Sequence, residues 1–179
     1  MRSGADQGEP DSDLNTWTLD RLEAFILGTR GPHLESARVV AQGQAYHDGR
    51  PGHVRRQWAK LSLLANRRML DGTGGCSVRV AHQDFMLRMW VIDQLGPDDG
   101  DRDWSPEALA SDTLDALTFS PAQAADLAGG WRDLPVERIR ELRWHKNLTA
   151  HVERLVGHLV PGPVRELLVA WIGVRRLLP

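Results

Sequence analysis

The sequence predicts an all-α fold, a single-domain bundle of about seven or eight helices behind a disordered N-terminal tail. Three observations carry this. Apolar residues recur at helical spacing through most of the chain. Ser-Pro and Gly or Pro signals separate those runs. Strand alternation is confined to Cys76, Val78 and Val80, with no partner run and no hairpin turn.

Residues 1–14 hold Gly, Asp, Glu, Ser and Pro with almost no apolar content, which predicts a disordered tail before a helical domain over 15–179. A first helix is predicted over about 18–28, with Thr18 as N-cap and Leu22 and Ile26 on its apolar face. A second, over about 34–47, buries Leu34, Ala37, Val40, Ala41 and Ala45 and stops at Asp48-Gly49. The third runs from Pro51-Gly52 to Leu70 with Val54, Trp58, Leu61, Ala65 and Met69 in one stripe. Gly72-Thr73-Gly74-Gly75 interrupts the pattern, and a fourth helix follows over about 78–95.

The acidic stretch 96–104 reads as a solvated loop and offers a point of subdivision, although each half alone would have a thin core. Ser105-Pro106-Glu107 and Ser120-Pro121 each predict a helix start. Pro135 opens a further helix that runs to Val160 or breaks near Asn147, and Pro161-Gly162-Pro163 precedes a last helix over about 163–178.

The chain has 179 residues, 41% apolar and 26% charged, with net charge −2. This is enough for a core without staples, and it points to no partner by charge alone. Cys76 is the single cysteine, so neither an internal disulfide nor a multi-cysteine zinc site can form. It lies just before a helix, where a thiol can become nucleophilic, but no local Cys-His motif accompanies it. The N-terminus lacks a signal peptide's apolar core, and no run is long enough to span a membrane, so a cytoplasmic protein with no membrane association is expected. Seven Trp residues favour a binding partner.

Two basic stretches are candidate contacts for nucleic acid or an acidic protein. Arg55, Arg56, Lys60 and Arg67 fall on the third helix, with no acid between Asp48 and Asp71; the alternative is a solvated face, or one paired with the acidic loop. Residues 120–146 loosely resemble a helix-turn-helix, in which Arg138, Arg140, Arg143 and Lys146 would face a major groove. Trp131 to Leu134 lengthens that turn, and Pro135 stands where an apolar packing residue belongs.

The last helix is apolar around nearly half its circumference. Leu167, Trp171, Val174 and Leu178 on it form either a core face or the seam of a homodimer or partner interface. No catalytic residue, metal or cofactor is predicted. The alternative is an all-helical enzyme, metal-dependent in one version, with His33, His47, Asp48, His82 and Asp84 around a pocket. His47-Asp48 resembles the His-Asp pair of metal-dependent phosphohydrolases, a likeness of two adjacent residues. His151 and His158 share a helix face but would stand two turns apart, too far for one ion. The favoured reading is a non-enzymatic regulatory or accessory protein that acts by binding a protein or nucleic acid.

Overall fold

The computed structural model describes residues 14–71 and 78–179. Residues 1–13 of the tail, the Gly72–Gly75 run and Cys76 lie outside the described residues, whereas Leu14, expected in the tail, is buried at the start of a 3-10 turn, Leu14–Thr16. Nine α-helices and no strands occur among the described residues. The chain falls into two compact units, Met1–Ser77 and Val78–Pro179. The acidic stretch 96–104, read from sequence as a point of subdivision, lies inside the second.

The first unit contains α1 (Leu19–Gly28), α2 (His33–Tyr46) and α3 (Gly52–Asp71). Thr18 caps α1 by accepting a hydrogen bond from the Arg21 amide. Ala37, Ala41 and Ala45 are buried at steps of four, and such small side chains let α2 lie close along α3. Val40, expected inside, is only half-buried. Arg38 takes part of the inner side instead. Its guanidinium donates to both Glu35 carboxylate oxygens at 2.8 and 3.0 Å and to Gln42 at 2.5 Å, so its charge is compensated where it is buried.

The second unit contains α4 (Val78–Leu95), α5 (Pro106–Asp115), α6 (Pro121–Gly129), α7 (Val136–Thr149), α8 (Val152–Val156) and α9 (Pro163–Arg175). The predicted break near Asn147 is real: α7 ends at Thr149 and α8 is a single short turn beyond it. Helix α9 packs against α5, α6, α7 and α8, and α4 against α5. Phe85, Met89, Ile92, Leu109, Leu142, Leu148, Leu155, Leu168 and Trp171 form the centre of one core.

Ser105 and Ser120 cap α5 and α6 as the sequence predicts. At Ser120 the cap is reciprocal. Its hydroxyl accepts from the Gln123 amide at 3.2 Å, and the Gln123 side chain accepts from the Ser120 amide at 2.9 Å. Ser120→Ala is expected to cost about 1 kcal/mol in urea denaturation.

The acidic stretch differs from the solvated loop expected of it. It is folded onto α4 around Arg88, which is 3% exposed. Arg88 donates to the carbonyls of Arg102 and Asp103, each at 3.0 Å, and to Asp112 at 2.7 Å. Asp84 stands 3.8 Å away, and Arg102 closes the group with a 2.5 Å bond to the other Asp112 oxygen. Two aspartates serve the turn itself: Asp98 accepts from Gly100 and Asp101 from Asp103, both at 3.1 Å. Trp104 closes the loop with its ring buried.

Candidate functional site

Helix α3 uses its arginines within its own unit. Arg55 Nε donates to the Ala45 carbonyl at the end of α2, at 2.9 Å, and its NH2 group to Asp48 at 3.0 Å. Arg68 donates to the Leu27 carbonyl near the end of α1, at 3.0 Å. The last carbonyls of a helix lack partners and carry partial negative charge, so two cations of α3 secure the ends of its neighbours. Arg56, Lys60 and Arg67 also have interaction partners.

The two arginine-rich stretches therefore differ. On α7, Arg138 pairs with Glu141 at 2.8 Å and lies over the Phe119 ring. Lys146 donates to the Leu178 carbonyl at 2.8 Å, a structural role. Arg140 and Arg143 are exposed, and no ion pair involves them among the described residues. Together with Trp131, Val136 and Ile139 they line a pocket of about 310 Å³. Trp131 is set there by the 3-10 turn Trp131–Asp133, the extra length in the helix-turn-helix likeness. Helices α6 and α7 each pack on α9, not chiefly on one another as the two helices of the compact motif do.

Of the four residues assigned from sequence to an interface on the last helix, Trp171 and Leu178 are core residues, 1% and 3% exposed. Val174 packs against the same core, and only Leu167 is exposed. The inner stripe and an outer apolar flank lie side by side on this helix, so periodicity merges them.

The alternative His/Asp group is divided between the units: His33, His47 and Asp48 in the first, His82 and Asp84 in the second. His47 Nδ1 accepts from the Gly49 amide at 3.2 Å and Asp48 binds Arg55, so both form the turn after α2. Asp84 belongs to the Arg88 group. The described residues hold no group of three His, Cys, Asp or Glu able to bind a metal.

His82 instead meets His151, which precedes α8, with ring centroids 5.6 Å apart and planes inclined by 38°. Arg79, Trp144, Asn147 and Ala150 complete a pocket of about 330 Å³ around them. Burial, and then the neighbouring His151, pushes the His82 pKa below the usual imidazole value. His82 and His151 are far apart in sequence and share no motif, so only the folding of the unit reveals them as a pair.

His145 occupies the core. Its Nε2 accepts from the Thr118 amide at 3.2 Å, which places the ring proton on Nδ1. Nδ1 is buried without a hydrogen-bond partner. Phe119 and Trp171 present edge-to-face rings at 5.0 and 5.3 Å. Burial drives the His145 pKa down to about 4, against a smaller upward pull from Glu141. The Thr118 hydroxyl donates to Glu141 at 2.6 Å, and this bond is the main cause holding the Glu141 carboxyl below its ordinary range.

Elsewhere in the same unit, Asp93 of α4 ties down the segment after α7. Its carboxylate pairs with Arg154 and lies 2.8 Å from His158 Nε2.

Compared with known families, curated proteins and solved structures, the chain has no match: no family model fits it, and neither a curated protein nor a solved structure is similar.

Proposed function

We propose that this chain is a non-enzymatic binding protein whose second unit takes an acidic segment of a protein partner on the Trp131–Arg143 face. The observation that carries this reading is the pair Arg140 and Arg143, exposed and without ion pairs among the described residues, beside a pocket walled by Trp131, Val136 and Ile139. Such a surface can take an apolar side chain while the two guanidinium groups receive flanking carboxylates. An aromatic anchor with arginine is the combination that concentrates binding energy at interfaces.

A protein segment suits this face better than nucleic acid. Asp133 and Glu137 are exposed beside the arginines, and Glu141 already pairs with Arg138. A phosphate-tracking surface needs a broader positive field than this.

The test is fluorescence titration with labelled acidic peptides carrying one Leu or Phe, against a single-stranded oligonucleotide of equal charge. The peptides should bind, and Arg140→Glu combined with Arg143→Glu should weaken them by more than about tenfold. Tighter binding of the oligonucleotide, with a steep salt dependence, would move the reading to nucleic acid. Equal binding by the double variant would remove this face from the function.

A further inference from the structure

The His82–His151 pocket is separate from the Trp131–Arg143 face and shares no lining residue with it. We propose that it is a binding site for a small aromatic molecule carrying one oxyanion group, held between the two imidazoles and Arg79 with its ring against Trp144.

Three features point to this chemistry. Among the described residues the ionisable lining consists of Arg79, His82 and His151, and none of the described lining residues is a carboxylate. An anion suits this lining better than a cation does, because each of these side chains can donate a hydrogen bond and none of them is a carboxylate. Second, the two imidazoles oppose one another at 5.6 Å. Burial and the His151 ring beside it disfavour protonation of His82, and an oxyanion between the rings would offset that by pairing with the protonated form. Third, Trp144 and Ala150 supply an apolar wall, and Asn147 an amide beside it. A volume of about 330 Å³ is at the small end for ligand pockets, which suits one ring and its anionic group.

Linkage then fixes the sign of the pH effect. A ligand that favours the protonated His82 imidazole binds more tightly at low pH than at high pH, and its binding raises the His82 pKa. Among the described lining residues, the ionisable groups beside His82 are His151 and Arg79, and Arg79 has a further interaction of its own.

The experiment is an NMR titration of the full chain, following the imidazole resonances, with benzenesulfonate as probe. Its charge does not change with pH, so any pH dependence belongs to the protein. Saturable shifts of the His82 and His151 rings are expected, with affinity at about pH 5.5 about tenfold higher than at about pH 8. Methanesulfonate, which lacks the ring, should bind at least about tenfold more weakly. His151→Gln, a half-exposed position, should weaken benzenesulfonate by about tenfold at the lower pH while the thermal melt stays unchanged. Benzoate and phenyl phosphate, titrated in the same way, should saturate too, and their ranking tells a carboxylate site from a phosphate site. Non-saturating shifts with every aromatic probe would overturn the proposal. So would affinity that ignores both pH and His151→Gln, or benzenesulfonate binding that moves other histidines only.

Discussion

Arg88→Met is expected to destabilise the second unit by about 3 kcal/mol, with a fall in Tm of about 10 °C or more. Arg88 is almost wholly buried and serves two backbone carbonyls and the Asp112 carboxylate at once. Methionine fills most of the volume but donates nothing. The Arg102 and Asp103 carbonyls then lose their donor, and Asp112 keeps only the more exposed Arg102. Each unsatisfied buried group costs about 1–3 kcal/mol. Lysine keeps the charge but lacks the planar fork, so Arg88→Lys should recover less than half of the loss. Urea denaturation measures the size of the effect, and limited proteolysis locates it. Cleavage should appear within residues 96–104, because Arg88 is what holds that stretch to α4. A loss below about 1 kcal/mol, with no new cleavage, would show that Arg88 is not what holds the loop.

The second large effect is on pH. His145 is held neutral in the folded chain down to about pH 4, whereas an unfolded histidine takes up its proton near pH 6.5. Between these values the unfolded state binds more protons than the native state, so stability falls as pH falls. The contribution is complete above about pH 6.5, declines through that window, and is fully lost below about pH 4. Its size is about 3 kcal/mol, since each tenfold change in proton affinity is worth about 1.4 kcal/mol. Glu141 adds a loss of the same sign at lower pH, because its carboxyl must give up the Thr118 hydroxyl and Arg138 when protonated. The measurement is urea denaturation of the parent and of His145→Gln between about pH 7.5 and about pH 4. The variant should be less stable at neutral pH and should show a shallower decline through the window. Parallel curves would mean that His145 takes up its proton at the same pH in the folded chain as in the unfolded one.

Most helix limits were legible because short-range chemistry sets them. Thr18, Ser105 and Ser120 each offer an oxygen to an orphan amide three residues ahead. Gly and Pro close the preceding segments for equally local reasons. The candidate sites were less legible. The arginines of α3 and α7 look alike in sequence, yet Arg55 and Arg68 secure helix ends while Arg140 and Arg143 face outward. Which carbonyl stands beside a given guanidinium depends on a neighbouring helix, and no local pattern encodes that. Trp171 shows the same limit: its periodicity marks an apolar face but cannot say whether that face meets the chain's own core or another surface.

The sequence by itself determined that the chain is helical, where nearly every helix begins and ends, and that the core could form without a disulfide. Caps, breakers and apolar periodicity act within a few residues, so the order of residues is sufficient for them. Only the tertiary structure decided what the polar residues do. It buried Arg88 under the acidic loop, set His145 between two aromatic rings, and brought His82 to His151. A charge or an imidazole takes its role from burial and from partners distant in sequence, and those exist only once the helices have packed.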